Sequence, residues 1–163
     1  MIAGAIIYRE ACDADLPGIT RVRTSVAENH LSVAQMEARG ITEASVIASF
    51  RVDKKGWVGE HDGEVVAFAI ADRASRSIFA LFVRPAFQGR GIGGRLLDLA
   101  AGWLWDCGSR DIWLTTRKGT RAAAFYARRG WTATGIDPEG NVRYECERPE
   151  NRDVASTTGR PGS

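Results

Sequence analysis

The sequence predicts a mixed α+β (α/β) fold: one domain built on a mainly antiparallel sheet of six to seven strands with about four helices packed on it. Three observations predict it. A length of 163 residues suits one globular unit, and 44% hydrophobic with 26% charged residues is the balance of a chain that buries one core. Asp62-Gly63 stands between two apolar runs, which marks a tight antiparallel hairpin because Asp-Gly tolerates the positive φ angles such turns require. Further along, apolar residues at three- and four-residue steps alternate with short strand-like runs, so the chain closes in the order β-α-β-α-β-β.

Taken in order, residues 6–10 are a β-branched run ending in charge, and Leu16, Ile19, Val22 and Val26 then fall on one helical face. Asp13 and Asp15 suit the positive start of that helix. Residues 28–40 are mixed and polar, after which Thr42 offers a cap for a second helix carrying Val46, Ile47 and Phe50. Residues 57–60 and 65–71 are the two hairpin strands, and Ser77 to Val83 is a nearly continuous apolar run, as expected of a central strand covered on both faces. Pro85 ends it, having no amide to donate.

From Gly91, Ile92, Leu96, Leu99, Ala100, Trp103 and Cys107 mark a buried helix of about four turns, closed by Gly108 in a left-handed position. Residues 111–116 read as a strand, 121–129 as an Ala-rich helix stopped at Gly130, and 131–134 with 142–147 as strands around an Asp-Pro-Glu-Gly turn. The domain is expected over residues 5–147. Residues 148–163 are polar and lack aromatics, so a loose, flexible tail is expected there.

Composition excludes little about partners. A net charge of +2 gives no reason to invoke nucleic acid or an anionic membrane. No apolar run approaches the roughly 20 residues of a membrane span, and the first ten residues lack the basic region of a signal peptide, so a cytoplasmic protein is expected. Cys12, Cys107 and Cys146 form no C-x-x-C pair; they read as reduced thiols, mostly packing, with no disulfide framework and no metal site. Trp57, Trp103, Trp105, Trp113 and Trp131 read as core and surface anchors rather than a stacking platform.

The informative segment is Val83 to Gly94, V-R-P-A-F-Q-G-R-G-I-G-G, between the apolar strand and the buried helix. Gly89, Gly91, Gly93 and Gly94 crowd a helix start, where each costs about 1 kcal/mol against Ala. A tight turn alone explains this poorly. Glycine lets a ligand approach the backbone, and a first helical turn offers unpaired amides and a positive dipole end, so the junction suits phosphate oxygens, with Gln88 and Arg90 as polar and cationic arms. Neither G-x-x-x-x-G-K-[ST] nor the dinucleotide pattern fits the spacing.

Gln88-Gly89-Arg90-Gly91-Ile92-Gly93 resembles the pyrophosphate signature [QR]-x-x-G-x-[GA] of the GNAT family of N-acetyltransferases. The preceding L-F-V-R-P resembles that family's fourth strand, A-A-A-F-Y-A-R-R-G-W its late tyrosine-bearing helix, and I-I-Y-R-E-A-C-D-A-D-L-P-G-I its opening. The likeness covers about residues 5 to 147 in the expected order, and it implies the GNAT-like acyl-CoA N-acyltransferase fold. It further implies an enzyme moving acetyl from acetyl-CoA, as co-substrate, to a primary amine by direct attack in a ternary complex. The cofactor would lie between the strand ending at Val83 and the strand 111–116, its pyrophosphate on the amides of Gln88, Gly89, Arg90, Gly91, Ile92, Gly93 and Gly94. Leu81, Phe82 and Val83 would pair with the pantetheine arm, and the Val83 N–H would face the thioester carbonyl as an oxyanion donor. Tyr126 matches the position of the general acid that protonates the departing thiolate.

Two departures from the family pattern stand out. An asparagine often precedes the tyrosine helix, whereas Thr120 occupies that neighbourhood and could contact the cofactor or cap the helix. The strand S-I-F-A-L-F-V carries no carboxylate to act as base. Glu28, Asn29 and His30 are the acceptor-site candidates, more for specificity than for proton transfer, and the acceptor is expected to be a small-molecule or peptide amine. Arg121, Arg128 and Arg129 read as a charged outer helix face rather than as phosphate ligands. Two other readings stay open: a CoA-binding or interaction module with weak or lost transfer, and an acetylating toxin acting on aminoacyl-tRNA, which the small net charge does not favour. A homodimer would be suited by exposed tryptophans.

Overall fold

The computed structural model describes residues 5–26, 33–38 and 53–149. Within them the strands are Ile7–Glu10 (β1), Lys54–His61 (β2), Glu64–Asp72 (β3), Ser77–Val83 (β4), Asp111–Arg117 (β5), Thr132–Ile136 (β6) and Asn141–Glu147 (β7). The helices are Leu16–Ser25 (α1), Val33–Ala38 (α2), Ile92–Asp106 (α3) and Arg121–Arg128 (α4). One sheet runs β1-β2-β3-β4-β5-β7-β6, and every neighbouring pair is antiparallel except β4 with β5.

The hairpin between β2 and β3 turns at Asp62 (φ 51°) and Gly63 (φ 79°), the conformation that selects this residue pair. Along β3 the side chains alternate. Ala67, Ala69 and Ala71 face one side and Phe68 and Ile70 the other, so small residues lie where α3 packs close to the sheet. There α3 buries Ile92, Leu96, Leu97, Ala100 and Leu104, residues recurring on one helical face. Leu96 is wholly buried, and its truncation to Ala costs about 2–5 kcal/mol. On the opposite face α1 lays Leu16, Ile19 and Val22 against Val58, Phe68 and Ile70.

Both long C-terminal helices end as glycine dictates. Gly108 (φ 99°) and Ser109 donate to the carbonyls of Trp105 and Leu104, each at 3.0 Å. Gly130 (φ 87°) closes α4 in the same way, and the Trp131 N–H donates to the Tyr126 carbonyl at 3.1 Å.

Several expectations are corrected. The β4 strand is central, but it is not covered on both faces: Phe79 is 47% exposed and Ala80 to Val83 are only half-buried. Residues 33–38, inside the stretch read as mixed and polar, are helical. Cys107 follows the last helical residue and is exposed rather than on the apolar stripe, and Cys12, in the turn before α1, is exposed too. No tryptophan is fully exposed: Trp57, Trp105 and Trp131 are buried and Trp103 and Trp113 half-buried. The helix expected from Thr42 and residues 150–163 of the expected tail lie outside the described residues. No helix among the described residues is long and apolar enough to cross a membrane.

Candidate active site

Two parallel strands meet and then separate. The β4–β5 pairing consists of Ser77 opposite Trp113, held by the Trp113 N–H on the Arg76 carbonyl (3.1 Å) and the Trp113 indole N–H on the Ser75 carbonyl (2.8 Å). Beyond Ser77, β4 follows β3 alone, whereas β5 is paired along its whole length with β7. A bulge at Phe79, where Ile78 and Ala80 oppose the consecutive Ala71 and Ile70, bends β4 just past the point of parting. The strand end at Leu81 to Val83 therefore borders a gap.

Alternation fixes which backbone groups face that gap. The Arg84 N–H donates to the Val66 carbonyl of β3 at 2.9 Å, so the N–H and C=O of Val83, one residue back, point the other way. Leu81, two residues further back, shares that orientation. The Val83 carbonyl is met by the Gln88 side-chain amide at 3.1 Å, which ties the loop to the strand end. Side chains alternate as well: Leu81 and Val83 pack toward α3, and Phe82 packs on Phe68 (5.6 Å between centroids) on the α1 side.

Beside the gap α3 begins without a side-chain cap. Gly91 is its N-cap in a left-handed conformation (φ 82°), and Gly89 is also left-handed (φ 77°). A Cβ on Gly91 would meet nothing within 4 Å, so the glycine answers backbone conformation and leaves open room. The first intrahelical bond runs from the Arg95 N–H to the Gly91 carbonyl (3.1 Å), leaving the amides of the first turn directed past the helix end. Together with the dipole's roughly +0.5 charge, these donors and this room fit a phosphate. Ile92 contributes backbone alone, its side chain being buried beside Gly59. Arg90 is exposed at the loop's outer edge.

The far wall is β5 and α4. A Cβ on Gly93 would stand 3.6 Å from Val83 Cγ2 and 3.9 Å from Phe125 Cζ, so the strand end, the start of α3 and α4 converge at one point. Tyr126, next to Phe125, is 5% exposed and packs on Phe125, Trp131 and Tyr144 at centroid distances of 5.2, 5.9 and 6.0 Å. Burial holds its phenol pKa well above the ordinary value of about 10, because the anion would lose its solvation. Thr120 is the N-cap of α4: its Oγ1 accepts from the Ala123 N–H (3.2 Å) and donates to the Arg117 carbonyl (2.8 Å). Its one hydroxyl proton is thus engaged within the turn.

Arg121 is exposed, in keeping with the charged outer helix face expected of it, and it also reaches the glycine loop. Its Nη2 lies 3.5 Å from the Cβ position of Gly89, so α4 reaches across to the glycine loop. That proximity is invisible in sequence, where 32 positions separate the two; the only signal was a cation following a helix cap. Arg129 keeps to the outer-face reading as well, donating to Asp98 at 2.7 Å with its guanidinium packed on Gly94. Glu28, Asn29 and His30 lie outside the described residues.

A mostly antiparallel sheet parted between its two parallel strands, with an uncapped glycine-rich helix start at the opening, defines the acyl-CoA N-acyltransferase class of fold. The PaiA N-acetyltransferase of Thermoplasma acidophilum, solved in complex with coenzyme A, shares it with a TM-score of 0.75 at 15% identity, over 89% of this chain and 100% of that one. So does YncA of Salmonella typhimurium, described as a putative acetyltransferase with its cofactor acetyl-CoA, with a TM-score of 0.69 at 20% identity over 88% and 94% of the two chains. The chain belongs to the acetyltransferase (GNAT) family, whose model matches residues 20–131. An uncharacterized N-acetyltransferase of Archaeoglobus fulgidus is 37% identical over 87 residues, a match spanning 46% of this chain and 58% of that protein.

Proposed function

We propose that this protein transfers the acetyl group of acetyl-CoA to the primary amine of a small molecule or peptide, by direct attack in a ternary complex. The carrying observation is the gap between β4 and β5 opening beside the uncapped first turn of α3, in a chain of the GNAT family. In this reading the amides from Gln88 to Gly94 hold the pyrophosphate, and the gap-facing backbone of Leu81 and Val83 bonds the pantetheine arm as a neighbouring strand would. The Val83 N–H donates to the thioester carbonyl and stabilises the oxyanion formed as the amine nitrogen attacks. The attack forms the C–N bond; the nitrogen gives up a proton to water, collapse of the intermediate re-forms the carbonyl and breaks the C–S bond, and the departing thiolate takes up a proton.

Tyr126 is the donor assigned to that thiolate. Its raised pKa keeps the phenol protonated at any working pH, while a thiol's pKa lies near 8.5. Full transfer to sulfur is therefore uphill, and Tyr126 acts chiefly by donating a hydrogen bond as negative charge develops there. With no carboxylate on β4, the amine enters neutral or yields its proton through water; amines of pKa about 10 then give a rate that rises with pH.

The test is thermal unfolding against acetyl-CoA, CoA, ATP and NAD, followed by thiol release with a panel of amines. Ligand at 100 times its dissociation constant adds about 2.7 kcal/mol, so a rise selective for CoA compounds is expected. The absence of any shift at millimolar acetyl-CoA sinks the reading. Binding with no thiol release for any amine favours instead a CoA-binding module, a reading supported by the missing β4 carboxylate and the Thr120 hydroxyl engaged at its helix cap.

A further inference from the structure

Past the N–H of Val83, the β4 edge is closed to any strand laid beside it. The Val83 carbonyl, which also faces the gap, accepts from the Gln88 side-chain amide at 3.1 Å. The Arg84 N–H donates to the Val66 carbonyl and the Arg84 carbonyl accepts from the Phe87 N–H, each at 2.9 Å. Pro85, the next residue, has no N–H at all. Three of these closures belong to the backbone, and one depends on a single side chain. That side chain is well anchored: Gln88 is half-buried, and Phe87 before it is buried against the His61 ring of the β2–β3 hairpin at a centroid distance of 5.2 Å. Gln88, read from the sequence as a polar arm toward a phosphate, thus turns back to the strand end.

A chain that joins a strand edge is held in register by the donors and acceptors it meets there. The arm of an acyl-CoA carries amides, each both donor and acceptor, and then a thioester, which is an acceptor only. An edge that ends in a lone donor matches the thioester end of such an arm. With the Val83 carbonyl open, the same edge would accept an arm amide N–H at its end and carry the thioester past the Val83 N–H. We infer that Gln88 is a positioning residue whose side chain, by closing the Val83 carbonyl, ends the β4 edge in a lone N–H donor and so sets the register in which the acyl-CoA thioester comes to rest. The inference rests on the cofactor reading above and deepens it: the backbone of the glycine loop serves affinity, whereas the side chain that leads it serves placement of the acyl group.

The test pairs steady-state thiol release from acetyl-CoA, with an amine the wild type accepts, and calorimetric titration of the full chain with coenzyme A, with circular dichroism to verify folding. Gln88→Met keeps the length of the side chain and removes its donor. It is expected to lower kcat about 30-fold and to leave coenzyme A affinity within about 3-fold, since the arm still binds but in a register that takes the thioester away from the Val83 N–H. Gln88→Leu, also without a donor, is expected to do the same and carries the test if Gln88→Met does not fold. Gln88→Arg returns N–H donors at similar reach and is expected to keep kcat within about 3-fold of the wild type. Unchanged kcat in the donor-less variants overturns the positioning role and leaves the cofactor reading standing. A loss of coenzyme A affinity as large as the loss of kcat makes Gln88 a cofactor ligand and also overturns it, as does a fall in Gln88→Arg equal to that in Gln88→Met, which reduces the side chain to packing. No thiol release by the wild type with any amine removes the proposed transfer and this role together.

Discussion

Two strand-to-helix junctions stand side by side on this sheet and are built in opposite ways. Between β5 and α4, Thr120 closes the helix start with its own hydroxyl, accepting from the Ala123 N–H and donating to the Arg117 carbonyl. Between β4 and α3, Gly91 takes that place in a left-handed conformation and no side chain caps the helix. A good N-cap is worth about 1 kcal/mol, so α3 forgoes stability that α4 keeps. The longer helix tolerates the loss because Ile92, Leu96, Leu97, Ala100 and Leu104 bury it against the sheet. Open amides at a helix start are thus a feature to be explained by a ligand, while a sealed start is explained by the helix itself.

The most severe way to break that contrast is to seal the open junction. Gly91→Asp places an anion where the pyrophosphate is proposed to lie, and coenzyme A affinity is expected to fall more than 100-fold by titration. Apo stability is expected to move by no more than about 1 kcal/mol, because the strain of a side chain at positive φ, about 1–2 kcal/mol, is opposed by a new capping carboxylate. Unchanged coenzyme A affinity in this variant would falsify the phosphate role of the junction.

Next in size is the chemistry assigned to the α4 wall. Tyr126→Phe is expected to slow acetyl transfer about 100-fold in steady-state assays while leaving coenzyme A affinity within a few-fold. The same variant carries a pH signature. Because the folded-state pKa lies above the unfolded value of about 10, Tyr126 contributes stability that is complete below pH 10 and lost as pH rises beyond it. Alkaline denaturation followed by fluorescence is therefore expected to be shallower in Tyr126→Phe. An identical alkaline slope would show that the phenol is not held protonated by the fold.

A third helix start sharpens the comparison through charge. Asp15, at the start of α1, accepts two bonds from Arg9 and one from the Cys12 N–H, each at 2.8 Å, and Arg9 also bonds Glu60. The Arg9 bonds hold the Asp15 carboxyl at about 2. That stabilisation is present above the unfolded pKa of about 4 and is lost as pH falls toward 2. Asp15→Asn is expected to lower the melting temperature at pH 7 and to flatten its dependence between those two limits, with coenzyme A affinity unchanged.

The smallest effect belongs to the sealed junction. Thr120→Ala is expected to cost about 1 kcal/mol in denaturant unfolding and to leave coenzyme A affinity unaltered, since the hydroxyl serves the helix. A 10-fold loss of affinity would instead make Thr120 a cofactor ligand.

Local chemistry explains which features were legible. Asp62-Gly63, Gly108 and Gly130 announce their turns because few residues accept positive φ, and the apolar steps from Ile92 to Leu104 announce a helix because a buried face repeats with the turn. The glycine loop was readable for the same reason, as glycines at a helix start are costly without a ligand. Phe79 and Cys107 were misplaced, and the reach of Arg121 to the glycine loop went unseen because that contact comes from distant chain. Phe79 is exposed where β4 leaves β5, Cys107 falls outside the stripe once the helix stops at Asp106, and Arg121 meets a loop 32 positions earlier.

By itself, then, the sequence determined the strands, the glycine-rich start of α3 and the tyrosine helix, because periodicity, turn residues and helix caps are set by neighbours along the chain. Only the tertiary structure decided that β4 and β5 part after Ser77, that Val83 turns its backbone into the opening, and that Arg121 crosses to Gly89. Those outcomes depend on strand register, a bulge and the packing of two helices on one sheet, and such contacts between distant residues leave no local trace in composition or spacing.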